Sequence, residues 1–190
     1  MAAALLTLIA CAPAGEDAEG ERAFGAAITE PEATRVDAVP QEEPGLARNR
    51  WRAVNESART VTGNLTASLE EGRGGPLALA FANGVTLRGE LLTVHDASAR
   101  VGGQIANFRT LLALPSQVDA RVYRVIDETV TLSAGQGLCG EARTTSVAAA
   151  EFVGESGRWV LHIAAFRGAV APGEGGDPGF CGVFGFEQPQ

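Results

Sequence analysis

Three groupings in this chain have residue types and spacings that chemistry could use. They are His95-Asp96 with Ser98 two residues on, Gly135-Gln136-Gly137-Leu138-Cys139-Gly140, and the cysteines Cys139 and Cys181. A histidine beside a carboxylate can act as an oriented general base, and Ser98 is the nearest hydroxyl. The GxGxxG spacing cradles a dinucleotide pyrophosphate only where it joins a strand to a helix. Here Glu141-Ala142-Arg143-Thr144-Thr145 follows and leads into a strand-like run, so no nucleotide is expected. His162 alternates with Trp159, Leu161 and Ile163 and reads as a sheet histidine on the face of Val160 and Ala164. No His, Cys, Asp or Glu cluster has metal-ligand spacing, and Gly173-Glu174-Gly175-Gly176-Asp177-Pro178 has too few acids for calcium. The sequence therefore nominates no catalytic, cofactor-binding or metal-ligating residue, and the chain reads as a non-enzyme without a cofactor.

The cysteines carry more information. Cys11 closes Leu8-Ile9-Ala10-Cys11, behind a stretch from Ala2 to Ala10 that is apolar except for Thr7. Such a stretch has the form of a secretory signal core and is far short of the roughly 20 residues that span a membrane. Met1-Ala2-Ala3-Ala4 lacks the usual basic start. Leu8-Ile9-Ala10-Cys11 resembles the lipobox of bacterial lipoproteins. That resemblance implies cleavage after residue 10 and diacylglyceryl modification of Cys11. It also implies sorting to the outer membrane, since Ala12 and not Asp follows the cysteine. Each buried methylene of such an anchor contributes about 0.8 kcal/mol. Cys139 and Cys181 remain as an even pair, and export to an oxidising compartment makes a disulfide between them the expectation.

Charge separates the next two regions. Between residues 12 and 47, nine acids face only Arg22 and Arg35, so this stretch holds −7 of the chain's −8. With Pro31, Pro40 and Pro44 it reads as a disordered tether, able to span ~33 Å as a flexible coil. Residues 48–190 carry almost no net charge, every base in the chain is Arg, and no basic stripe is evident, which argues against nucleic-acid binding.

Period-two patterning dominates residues 48–190. Strands are expected over 60–69, 77–81, 85–91, 118–126, 144–153, 159–166 and 180–186, with Asn83-Gly84 as a hairpin turn. Residues 95–107 read as a loop, and 108–114 as a helical turn stopped by Pro115. Arg48, Arg50 and Arg52 share one parity around Trp51, so the tryptophan should enter a core while the guanidiniums face water. Phe180, Phe184 and Phe186 should share the core face of the last strand. The expected class is all-β, an antiparallel sandwich or small barrel of about seven or eight strands. The expected organisation is a signal peptide at 1–10, a lipidated acidic tether at 11–47 and a β domain at 48–190.

The domain is similar in architecture to small exported β proteins such as lysozyme inhibitors and META-type lipoproteins, whose cysteine and tyrosine patterns it lacks. The expected function is a non-catalytic, outer-membrane-anchored envelope lipoprotein whose β domain binds an envelope protein or cell-wall partner, or gives structural support. One alternative is inhibition of an envelope-attacking hydrolase such as lysozyme through an exposed loop, 95–107 or 171–179. Another is an exported hydrolase or small-ligand carrier.

Overall fold

The computed structural model describes residues 49–70 and 75–189. Cys11, Arg48 and the whole of segments 1–10 and 11–47 lie outside the described residues. The strands are β1 Arg50–Ala53, β2 Leu65–Leu69, β3 Leu77–Phe81, β4 Val85–His95, β5 Ala120–Val130, β6 Ser146–Val153, β7 Trp159–Phe166 and β8 Phe180–Glu187. Each pairs antiparallel with its sequence neighbours, and β8 returns to β1, so the sheet is a closed barrel. The chain is all-β, as the alternation requires, and closure leaves no sheet edge open to another chain.

β1 is only four residues long, yet it completes the ring. Trp51 pairs with Leu65 of β2, and Ala53 pairs with Phe186 of β8. Asn55 reinforces this seam just beyond β1. Its Oδ1 accepts from Ala58 N (2.9 Å) and Gly185 N (3.0 Å), and its Nδ2 donates to Val183 O (3.0 Å). On the other side Asn64 Oδ1 accepts from Ala53 N at 3.2 Å. The long β4–β5 pair carries two register shifts, between Arg88 and Gly89 and between Leu91 and Thr93. Bulges of this kind bend and coil a pair, as closing a small barrel demands.

Side chains fill the interior. Trp51, Leu65, Leu77, Leu79, Phe81, Val85, Leu87, Tyr123, Leu161, Ile163, Phe184 and Phe186 form one buried cluster. Ala58, Leu138 and Cys139 join it from the β1–β2 and β5–β6 connections, stoppering the end of the barrel where those connections lie. Outward positions such as Thr66, Ser68, Thr86, Arg88, Arg124, Asp127 and Thr129 are polar and exposed. An apolar, filled interior behind a polar wall is the reverse of a membrane-spanning barrel.

One side of the wall is covered. The connection 96–119 folds back over the outside of β5, β6 and β7 and contains α1, Phe108–Leu112. Its Ala97, Val101, Phe108, Leu112 and Leu114 pack on Ala120, Val122, Ala148, Ala150, Ala164 and Phe166 as a second core. The alanines on β6 and β7 leave room for the helix to approach. Fully burying side chains such as Phe108 and Leu112 is worth ~1.5–3 kcal/mol each. Asn107 caps the helix by accepting from Thr110 N at 2.8 Å, and Ala113, in the left-handed region at φ 49°, ends it.

Two expectations are corrected. Residues 60–62 are not strand but the end of a short π-helix, Ala58–Thr62, and β2 begins at Leu65. The hydroxyls that look like one face of a strand instead bond to carbonyls four residues back, Thr60 to Glu56 O and Thr62 to Ala58 O. Gly63, at φ 68°, then turns the chain where a Cβ residue would be strained. The second correction concerns Phe180. A register shift between Ala165 and Phe166 separates it from Phe184 and Phe186. It lies against Phe166 of the outer core, 42% exposed, while the other two are buried inside.

Cys139 and Cys181 are disulfide-bonded, with Cα atoms 5.1 Å apart. The bond ties the β5–β6 connection to the start of β8 across 42 residues of chain. Closing a loop of that length in the unfolded chain is worth roughly 4 kcal/mol. The double variant Cys139→Ala/Cys181→Ala is therefore expected to melt about 5–15 °C lower. An unchanged melting temperature would show that the bond contributes nothing to stability.

Candidate functional site

The structure separates the groups that the sequence juxtaposes. His95, the last residue of β4, stacks on Phe108 with ring centroids 5.1 Å apart, and its Nε2 is buried without a hydrogen-bond partner. Asp96 does not turn toward it. Asp96 Oδ1 accepts from Ser98 Oγ (2.6 Å) and Ser98 N (2.7 Å), and these two bonds hold its carboxyl below the usual 3.8. The trio is a turn locked by its own side chains, in which the Ser98 hydroxyl is given to Asp96 and His95 Nε2 takes no part.

His162 faces outward on β7, as its parity predicts. Its Nδ1 lies 2.5 Å from Leu112 O at the end of α1, and its ring meets Phe152 edge-on at 5.4 Å. Contact with a carbonyl oxygen requires Nδ1 to carry the proton and donate. The histidine therefore clips the covering helix to the wall.

The glycine-rich loop runs into the disulfide and then β6. Gly137 and Gly140 bridge each other, and no helix follows to receive a phosphate. Arg50 and Arg52 are exposed while Trp51 is 2% exposed, as the parity of β1 requires. Arg52 reaches Glu187 at 3.5 Å, an exposed pair of little energetic weight. No group of three metal-binding side chains occurs among the described residues.

The loops 95–107 and 171–179, expected as separate candidates, form one surface. Gly173 N donates to Val101 O at 2.9 Å, and Gly103 N donates to Gly176 O at 2.7 Å. Gly173 sits at φ 97°, and a Cβ there would fall on the His95 ring. Glycine is thus required twice at this position, for backbone conformation and for close approach. Asp177 Oδ1 accepts from Gly179 N (2.9 Å), fixing the far end of the second loop.

Beside this junction lies a groove of about 380 Å³ on the outer wall, lined by β5, residues 143–146 and residues 168–174. The segment beneath it is held from both sides. Glu128 Oε2 accepts from Thr144 N (2.7 Å), and Glu128 Oε1 accepts from Thr144 Oγ1 (2.8 Å). Thr145 Oγ1 donates to Gly168 O at 2.7 Å, and Val125 N donates to Thr145 O at 2.9 Å. Ser146, 4% exposed, lines the groove, and its Oγ has no hydrogen-bond partner. Arg124, directly opposite Ser146 in the sheet, and Arg143 both line the groove and are exposed. Neither is in a salt bridge among the described residues. Leu92, Ile126, Ala169 and Ala171 supply apolar lining, and Glu174 is its single carboxylate among the described residues.

Nothing in the sequence pattern singled this groove out. Ser146 and Arg124 meet only through the β5–β6 register, and Glu174 arrives from a distant loop. Their outward parity was the one available sign. No protein-family model, curated protein or solved structure matches the chain, so the reading of this surface rests on its own geometry.

Burial lowers the pKa of His162 below its ordinary 6.5, outweighing the Leu112 carbonyl bond, which favours the charged ring. As pH falls the unfolded chain takes up this proton first. The stability due to the neutral ring is complete above pH 6.5 and is lost as pH falls from there through the lower folded-state value. Between about pH 7 and about pH 5 the wild-type melting temperature should fall more steeply than that of His162→Gln, even if the variant starts lower. Parallel curves would show that His162 does not couple α1 to pH.

Proposed function

We propose that this chain is an envelope lipoprotein: lipid on Cys11, an acidic spacer, and a β-barrel that works as a rigid, non-catalytic binding module. The observation that supports the reading best is the filled barrel interior. An eight-stranded barrel can hold a small ligand only if its centre is left open, and here Trp51, Tyr123, Phe81, Phe184 and Phe186 occupy it. Recognition then belongs to the outer surface, where two loops are fixed to each other and the groove sits beside them. The disulfide supports residence in an oxidising compartment, and the Leu8-Ile9-Ala10-Cys11 motif supports attachment at the outer membrane.

A second reading, inhibition of an envelope-attacking hydrolase such as lysozyme, is favoured by one specific feature. The Gly173–Val101 and Gly103–Gly176 bonds hold the paired loops in a single shape before any encounter. Pre-ordering of this kind removes an entropic cost of binding.

Mass spectrometry of envelope material should find a mature chain beginning at a lipid-modified Cys11. Photo-crosslinkers at Arg100 and Glu174 in intact cells should capture one discrete envelope partner, and a crosslinker at the distant Arg88 should not. An unmodified chain with an intact Met1, recovered from the cytoplasm, would overturn the anchor. Indiscriminate or absent capture from all three positions would overturn the binding surface.

A further inference from the structure

We propose that the groove over residues 143–146 is a binding site for a small aliphatic carboxylate, an organic acid of roughly six to ten carbons. This deepens the binding-module reading and rests on it, because it names the ligand class of that outer surface. Four features of the groove converge on this class.

Arg124 and Arg143 come from different elements, flank the same concavity and lack a salt bridge among the described residues. Two such guanidiniums favour an anion, and the planar fork of Arg matches a carboxylate. Glu90 stands opposite Arg124 in the β4–β5 pair without bonding it, and Glu174 stands at the groove itself. Among the described residues, the balance of two bases against one lining acid favours a monoanion over a phosphate or other dianion. Leu92, Ile126, Ala169 and Ala171 offer aliphatic surface, and among the described residues no aromatic ring lines the groove for a base or sugar to stack on. At about 380 Å³ the concavity has the size of a small-molecule site.

Ser146 supplies the remaining feature. An unpaired buried hydroxyl costs ~1–3 kcal/mol, and native structures seldom keep one without cause. Its Oγ is closed off and bonded to nothing, so rotation about χ1 toward the groove forfeits no hydrogen bond. A bound carboxylate would give it an acceptor. Its neighbours Thr144 and Thr145 are fixed by Glu128 and Gly168, so the floor itself does not need to rearrange.

The test is a nitrogen–proton NMR titration of the full chain carrying Cys11→Ser, which has no lipid to take up the probe. Octanoate is compared with octanol, acetate and inorganic phosphate. Octanoate should give saturable shifts at Arg124, Thr145, Ser146 and Ala169, and the other three should bind at least about tenfold more weakly. Arg124→Gln and Arg143→Gln should each weaken octanoate about tenfold with no change in melting temperature, since both side chains are exposed. Ser146→Ala should weaken it a few-fold, roughly the worth of one hydrogen bond, while leaving the melting temperature equal or higher.

Equal binding of octanol would reduce the site to an apolar patch and overturn the proposal. Equal binding of phosphate would reduce it to a merely charged patch and overturn it as well. Absence of saturable shifts, or indifference to both arginine variants, would also overturn it. These outcomes leave the crosslinked partner and the mass of the mature chain untouched, so failure here is distinguishable from failure of the binding-module reading.

Discussion

A ring of backbone hydrogen bonds is closed in this protein by four residues. β1 must satisfy β2 on one side and β8 on the other, and it pairs with each over only two positions. So short a strand cannot hold two neighbours by its own ladder alone. The side-chain bonds of Asn55 to Ala58, Val183 and Gly185, together with that of Asn64 to Ala53, extend the seam beyond the strand. Trp51 anchors the same four residues inside. Without this seam the eight strands would form an open sheet with two unsatisfied edges, and the interior cluster would face water.

Closure also decides what occupies the centre of the molecule. The interior is crowded with indole, phenol, phenyl and leucyl groups, and the β5–β6 connection stoppers one end through Leu138 and the disulfide. The wall formed by β6 and β7 is buried twice, inside by Leu161 and Ile163 and outside by α1. A wall packed on both faces makes a stiff platform. The loop pair 95–107 and 171–179 and the groove over Ser146 are both built against it. Under the proposed binding role, such rigidity would lower the cost of binding.

The elements legible in the sequence were those set by local patterning. The run from Leu77 to Phe81, the Asn83-Gly84 turn and the strand from Trp159 to Phe166 follow directly from period two and turn chemistry. The outward His162 and inward Trp51 also follow from parity. What was not legible depends on contacts between distant residues. Sandwich and barrel differ here only in whether residues near 52 meet residues near 187, and no local pattern states that. The bulges that extend β4 to His95 and turn Phe180 outward arise from barrel curvature. The π-helix at Ala58–Thr62 has the same hydroxyl alternation as a strand and differs in what those hydroxyls bond. The groove escaped for a similar reason, since its arginines, serine and aliphatic lining come from four separate stretches of chain.

The closed ring is tested most directly by native-state amide hydrogen exchange, resolved residue by residue. The amides of Arg52 in β1 and Glu187 in β8, which face each other across the seam, of Val54, which donates to Gly185 O, and of Gly185, which donates to Asn55 Oδ1, should exchange about as slowly as those of Val147–Ala150 and Leu161–Ala164. Opening would then require the whole barrel to unfold. Rapid exchange confined to the β1–β8 seam, with β6 and β7 still protected, would mean that the sheet is open and that the barrel is not the scaffold described.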